Sequence, residues 1–182
     1  MTEISTRVVQ AGEEEPSVLG VGEKFPHFSL IANVSVHQET AFATITDQDL
    51  RDFWKLYFFW PKDFTALALT ELVAFAALEY ELSELHARCV GASVESEYAH
   101  LAWRQQEPQL KDYAFPLLAD TKRELCGELG ILNERDGVAE RATFIVDPED
   151  IIQFVYVLGL EVPRDAGEVL RVLADLQGAK RP

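Results

Sequence analysis

The sequence contains few of the residues that build disulfide scaffolds or zinc sites. Its 182 residues include only two cysteines, Cys89 and Cys126, and four histidines scattered along the chain. Two thiols cannot form a disulfide framework, and neither residue type has the spacing of zinc ligands. The sequence therefore predicts no metal site and no cofactor. Each histidine is expected to have a solvated or hydrogen-bonded structural role.

Basic residues and long apolar runs are also scarce. Lysine and arginine total 16 against 31 aspartate and glutamate residues, so the formal net charge is −15. An acidic surface repels nucleic acid and anionic membranes, so neither is expected as a partner. No run of about 18 apolar residues could span a membrane, and the N-terminal segment lacks the apolar core of a secretory signal. These absences predict a cytoplasmic protein.

The composition that remains is that of one globular domain. The chain is 48% hydrophobic and 26% charged, and its length is sufficient to bury a single core. Residues 1–19 include Gly12 and Pro16 beside an acidic run, and they are expected to form a flexible acidic extension. Residues 20–180 are expected to form the folded domain.

Hydrophobic patterning predicts strands and helices in alternation. Residues 54–60 are almost entirely apolar and indicate a strand buried on both faces. Helical periodicity follows over residues 70–88, with one apolar stripe. The stripe consists of Leu72, Phe75, Leu78, Leu82 and Leu85. Further strands are predicted at 89–94, 142–147 and 151–158, and further helices at 96–106, 121–130 and 164–177. This order predicts an α/β sheet covered by helices on both faces.

The chemistry is expected where the strand at 54–60 runs into the next helix. In an α/β sheet, ligand-binding groups gather at the carboxyl ends of the strands. The first turn of the following helix presents unpaired N–H groups and the positive end of its dipole to an anion. This signal alone is not specific, because every strand–helix unit has such a start.

Five motifs follow one another between about residues 20 and 178. They read WPKDFTALALTEL, SVESEYAHLAW, PLLADTKREL, GVAERATFIVDP and DAGEVLRVLADLQ. Together they resemble the peroxiredoxins, and most of all the alkyl hydroperoxide reductase C and thiol-specific antioxidant branch. The resemblance implies a thioredoxin-like fold with a central mixed β-sheet, flanking helices and an N-terminal β-hairpin extension.

The resemblance also implies the residues of the site. In the family, the motif Pro-x-x-x-Thr-x-x-Cys carries a thiolate that attacks a peroxide oxygen, and a helix start and a later arginine lower its pKa. Carried over residue by residue, the catalytic residues are Thr65, Arg141 and Glu71. The substrate-binding residues are Pro61, Phe64, Leu67, Ala68, Leu69 and Trp103.

In this carry-over, Ala68 occupies the position of the peroxidatic cysteine. A methyl group cannot attack an O–O bond, so the family's peroxidase mechanism is not expected. Leu69 replaces the proline that usually follows the cysteine, and no C-terminal resolving cysteine is present. Cys89 and Cys126 are expected to be structural, because a resolving thiol has nothing to resolve without a peroxidatic partner.

Three functions remain open at this point, and the sequence favours the first. The first is a repurposed pocket in which Thr65, Arg141 and the helix start hold a small organic acid or carbonyl ligand for cofactor-free isomerisation, elimination or cyclisation. In that pocket, Glu71 is either an acid or base or a carboxylate that orients Arg141. The second is a structural or regulatory pseudo-enzyme. The third is an alkyl hydroperoxide reductase with its nucleophile substituted.

The resemblance finally implies self-association, as a homodimer or a ring of dimers. In the family, the motif loop and the neighbouring aromatic region form the interface. This chain has aromatic residues there at Phe58, Phe59, Trp60 and Phe64.

Overall fold

A computed structural model of the chain describes residues 17–111 and 114–179. Most of the predicted acidic extension, residues 1–16, therefore lies outside the described residues. At the start of the described chain, Leu19 donates its backbone N–H to the carbonyl of Leu129 at 3.1 Å. This bond ties residue 19 to the folded domain.

A seven-stranded mixed sheet forms the centre of the fold. In chain order the strands are β1 (Ser29–Asn33), β2 (Phe42–Thr46), β3 (Trp54–Phe59), β4 (Ala87–Ser93), β5 (Leu117–Ala119), β6 (Leu132–Asn133), β7 (Val138–Ala139), β8 (Arg141–Val146) and β9 (Ile152–Leu158). The large sheet has the order β2-β1-β5-β4-β3-β8-β9, while β6 and β7 pair separately. β4 runs parallel to both β3 and β5, and the other pairs are antiparallel.

The helices pack on the two faces of this sheet. They are α1 (Ala66–Ala76), α2 (Glu79–Glu84), α3 (Glu97–Gln106), α4 (Glu124–Glu128) and α5 (Ala166–Ala179). Alternate residues of β3 enter two separate cores, as Phe58 packs with residues of α1 and α5 whereas Phe59 packs with residues of α4. The prediction of a strand buried on both faces is therefore confirmed. No helix in the described ranges is long and apolar enough to cross a membrane.

The N-terminal hairpin that the resemblance implies is present. β1 and β2 pair antiparallel, with Ser29 opposite Thr46 and Asn33 opposite Phe42. β1 also pairs with β5, so the hairpin extends the central sheet at one edge.

The helix predicted at 70–88 differs from the structure at both ends and in its middle. α1 begins earlier, at Ala66, because Thr65 caps it. The chain then leaves the α-helical register, where the Leu78 N–H donates to the Phe75 carbonyl three residues back. α2 ends at Glu84, and β4 already begins at Ala87. The apolar stripe was nevertheless correct, since all five of its members are buried or packed against the core.

Candidate active site

The loop that follows β3 positions the start of α1. Thr65 is the N-cap residue, and its hydroxyl oxygen accepts the Ala68 N–H at 3.4 Å and donates to the Lys62 carbonyl at 3.2 Å. The first-turn amides of Ala66 and Leu67 have no acceptor within the helix. They and the helix dipole therefore favour an oxyanion at this point.

A cavity of about 360 Å³ opens beside this helix start. Four of the predicted site residues line it together, namely Pro61, Thr65, Leu67 and Arg141. The remaining lining is partly apolar, from Ala66, Val138 and Leu160, and partly charged, from Lys62, Asp136 and Glu161. The cavity therefore combines an apolar wall with groups that bind oxygen atoms.

Arg141, the first residue of β8, brings a guanidinium group to this cavity. Its side chain is buried, its Nε donates to the Leu160 carbonyl, and its Nη1 donates to Glu71 Oε2 at 2.5 Å. Its Nη2 has no hydrogen-bond partner among the residues that the structure describes. One amino group of the guanidinium is thus available for an oxyanion in the cavity.

Glu71 lies behind Arg141 and does not line the cavity. Its Oε2 accepts from Arg141 and also from Arg164 Nη2 at 3.0 Å, and its Oε1 accepts the Arg164 backbone N–H at 3.1 Å. A buried carboxylate that is shared by two guanidinium groups orients them. This geometry favours the orienting role for Glu71 over the role of acid or base.

Arg164, which the sequence analysis missed, completes this buried cluster. Its Nη1 donates to the Ala142 carbonyl at 2.8 Å and to the Thr143 hydroxyl at 3.0 Å. Burial lowers the pKa of Arg164, and its hydrogen bonds with Glu71 oppose that shift. Two guanidinium groups and one carboxylate leave this cluster with a formal charge of +1 beside the cavity. No periodic signal could have found Arg164, because an arginine just before a helix is ordinarily exposed.

The other predicted binding residues do not line this cavity. Ala68 and Trp103 are buried in the core, and Leu69 packs against it. Phe64 is 51% exposed, and its ring centroid lies 5.9 Å from that of Trp103. Their roles in binding a substrate stay predictions.

The sequence profile of the AhpC/TSA family matches residues 21–155. The chain belongs to this peroxiredoxin family. Alkyl hydroperoxide reductase C of Mycolicibacterium smegmatis is 42% identical over 169 residues, which cover 88% of this chain and 86% of that protein. The protein of the same name from Mycobacterium tuberculosis H37Rv is 44% identical over 168 residues, with coverages of 88% and 86%.

Solved structures show the same peroxiredoxin relationship. Mycobacterium tuberculosis AhpC superimposes with a TM-score of 0.84 at 42% identity, covering 91% of this chain and 97% of that one. Enterococcus faecalis AhpC gives a TM-score of 0.83 at 30% identity, with coverages of 87% and 93%. Both the resemblance and the thioredoxin-like fold with a central mixed sheet are confirmed.

Neither thiol of this peroxiredoxin has the environment of a reactive cysteine. Cys89 is 8% exposed and Cys126 is fully buried. Burial raises the pKa of both thiols well above the ordinary range. A protonated, buried thiol is a poor nucleophile.

We expect both thiols to resist modification in the native protein. At pH 7.5 Ellman's reagent should label neither on the minutes timescale, because each pKa lies far above that pH. After unfolding in guanidinium chloride, both should react at the rate of free cysteine. Rapid labelling of Cys89 or Cys126 in the folded chain would contradict their structural role.

Proposed function

We propose that this chain is a nucleophile-free peroxiredoxin of the alkyl hydroperoxide reductase C type. In this proposal its cavity holds a hydroperoxide or a small oxyanion, and with Ala68 the site has no thiol to reduce a bound hydroperoxide. One observation carries the proposal. The free amino group of Arg141 and the first-turn amides of α1 meet at one cavity. The same helix turn holds Ala68, at the position that the resemblance gives to the peroxidatic cysteine. Relatives named alkyl hydroperoxide reductase C, at 42% and 44% identity, support the assignment to this branch.

The charges around the cavity favour a small ligand with at most one negative charge. The cluster of Glu71, Arg141 and Arg164, the dipole of α1 and the ammonium group of Lys62 all attract an anion. Asp136 and Glu161 lie at the same cavity and repel a second negative charge. A hydroperoxide or a monocarboxylate meets both conditions.

The size of the cavity favours a second candidate function, which is a binder or cofactor-free catalyst for an organic acid. A volume of about 360 Å³ exceeds the need of hydrogen peroxide and falls in the range of small-molecule sites. Ala66, Leu67 and Val138 provide an apolar wall for a hydrocarbon group. Because Glu71 is occupied by two arginines, catalysis in this candidate depends on electrostatic stabilisation by Arg141 and the helix start.

Arg141→Lys is expected to weaken anion binding by roughly ten- to a hundredfold. Loss of one charge-assisted hydrogen bond costs about 1.5–3 kcal/mol, and an ammonium group cannot reproduce the planar donor pattern of a guanidinium. Calorimetric titration with acetate and with benzoate measures the loss of affinity. Thr65→Val is also expected to weaken the binding of both probes, because it removes the side-chain cap of α1. Preference for benzoate would favour the second candidate.

The matched control is Arg171→Lys, which changes an exposed arginine on α5 and should leave both affinities unchanged. Melting temperatures are recorded for every variant. If Arg141→Lys lowers the melting temperature while both probes bind as before, the arginine only packs against Glu71. The protein would then be a structural pseudo-enzyme.

Self-association is a further part of the proposal, although the structure corrects its expected interface. Phe58, Phe59 and Trp60 are fully buried within the monomer, since they belong to β3 and its end at the sheet centre. The prediction that these three residues form an interface was wrong. Phe64, which is half exposed at the motif loop, is the one aromatic of the four that can contact a second copy.

We expect a homodimer in solution at micromolar concentration. Light scattering should return at least twice the chain mass of 20.5 kDa. Phe64→Ser should shift the mass towards the monomer, since it removes apolar contact area. Tyr80→Ser, which changes an aromatic residue on α2 that is 72% exposed, is the control. A mass near 20.5 kDa for the unmodified chain would contradict the proposal.

A further inference from the structure

A buried aspartate in the loop before α1 contacts parts of the fold outside that loop. Asp63 is 7% exposed, and its Oδ1 accepts the indole N–H of Trp60 at 2.8 Å. Its Oδ2 lies 2.7 Å from His100 Nδ1. A buried carboxylate is stable only when hydrogen bonds replace the water that it has lost. The bonds from Trp60 and His100 provide that replacement.

His100 carries this contact across the fold. It lies on α3, is fully buried, and its Nε2 is 3.2 Å from the Leu118 carbonyl on β5. A carbonyl oxygen only accepts, so Nε2 donates to it, and one proton lies between Nδ1 and Asp63. The expected hydrogen-bonded role of His100 is thereby confirmed. The imidazole links the loop to both α3 and β5.

The residue between these fixed points has a strained backbone. Phe64 has φ +59°, in the left-handed region that aromatic residues rarely adopt. Such a conformation persists only where the surroundings over-determine it. On one side Asp63 is held by His100, and on the other Thr65 is held by its cap on α1. The chain from 63 to 65 therefore follows the path that these two anchors impose.

We propose that Asp63 and His100 are positioning residues that hold the start of α1 at the cavity. Pro61 and Thr65, on either side of Asp63, both line the cavity. Without the Asp63–His100 bond, Phe64 relaxes out of the left-handed region and the loop moves. The amides of the first turn then lose their fixed direction. The inference rests on the proposed function in one respect, namely that these amides face a bound oxyanion.

The hydrogen bond between Asp63 and His100 is called the brace below. Hydrogen exchange of the first-turn amides of α1 tests it without any ligand. In Asp63→Ala, the N–H groups of Ala68 and Leu69, which bond to Thr65, should exchange roughly ten- to a hundredfold faster than in the unmodified chain. Asp63→Asn should largely restore slow exchange. Its amide can donate to His100 Nδ1 while its oxygen still accepts from Trp60. His100→Phe removes the same bond from the α3 side and should accelerate the same amides.

Asp120→Ala is the matched control. Asp120 is another buried carboxylate, and it accepts the N–H groups of Leu125 and Cys126 at 3.3 and 2.8 Å at the start of α4. This variant should lower the melting temperature but leave the exchange of the α1 amides unchanged. Equal acceleration in Asp63→Ala and Asp120→Ala would overturn the proposal, as would exchange in Asp63→Asn as fast as in Asp63→Ala.

Benzoate affinity provides the second readout. Asp63→Ala should reduce it about tenfold, whereas Asp63→Asn and Asp120→Ala should retain it. If accelerated exchange in Asp63→Ala comes with unchanged benzoate affinity, the brace does not position the cavity and the inference fails. If the unmodified chain binds neither acetate nor benzoate, the proposed function fails, and the exchange rates alone then decide whether the Asp63–His100 bond holds the start of α1.

Discussion

Glu71→Gln is expected to lower the free energy of unfolding by about 3–5 kcal/mol, the typical result of removing one partner from a buried ion pair. The amide has nearly the same volume as the carboxylate, so packing is preserved. Arg141 and Arg164 then remain buried without a compensating negative charge. For a chain of this length, the loss corresponds to a decrease in melting temperature of roughly 6–20 °C, which calorimetry measures directly.

The size of this effect follows from burial and not from the ion-pair distance. Arg164 has a side chain that is 0% exposed, and that of Glu71 is 2% exposed. Arginine does not deprotonate to escape such a site. In the unfolded chain both guanidinium groups regain water. The variant therefore destabilises the folded state alone.

The matched control is Glu168→Gln on α5. Glu168 pairs with Arg171 at 2.7 Å, a distance similar to those in the buried cluster, but the two side chains are 54% and 59% exposed. Water and salt screen such a pair. The control should melt within error of the unmodified chain. Equal destabilisation by the two variants would contradict this explanation, because it would show that burial of the two arginines does not determine the loss of stability.

The parts of the fold that the sequence predicted are those determined by local burial. β3 is apolar throughout because it lies between two cores, and the stripe on α1 and α2 faces one of them. The prediction of a single helix over 70–88 was wrong. The change of register at Leu78 occurs without a glycine or a proline, so the sequence has no residue there that marks it. The helix predicted at 121–130 begins later, at Glu124, because Arg123 has φ +62°. A side chain's type does not report such backbone changes.

The candidate site divides in a similar way. Thr65 and Arg141 could be named because they belong to motifs that are continuous in sequence. The contacts that hold them could not be named from the sequence. Arg164 is 93 positions from Glu71 in the chain, and Asp63 is 37 positions from His100. Only the topology of the sheet brings these residues together. A motif identifies the groups that face a ligand, whereas the residues that orient them become visible in three dimensions.

The unmodified chain should consume neither hydrogen peroxide nor an alkyl hydroperoxide above background with dithiothreitol or thioredoxin. Ala68 has no lone pair to attack oxygen, and the two native thiols are buried and protonated. A stopped-flow peroxide assay measures the rate. Robust turnover would assign Cys89 or Cys126 a catalytic role and contradict the proposed function.

Ala68→Cys should, by contrast, create a peroxide-reactive thiol. The introduced thiol would lie in the first turn of α1, which with Arg141 borders the cavity, and its pKa should fall below the value of about 8.5 for free cysteine. Its thiolate would attack one peroxide oxygen and break the O–O bond, so that the sulfur is oxidised to a sulfenic acid. The other oxygen would leave and take a proton from solvent, which gives water or an alcohol. One positioned donor contributes on the order of 10²–10³-fold in rate, so reaction should exceed that of free cysteine by at least this factor.

The double variant Ala68→Cys/Arg141→Lys separates the cavity from the thiol itself. It should lose most of the gain, because a lysine cannot provide the same oriented donors. Cys126→Ser in the Ala68→Cys background is the control and should retain the first oxidation step. If the introduced thiol reacts no faster than free cysteine, the donors do not converge on a peroxide oxygen. The cavity would then have lost the arrangement that the family mechanism requires, and the organic-acid function would become the stronger candidate.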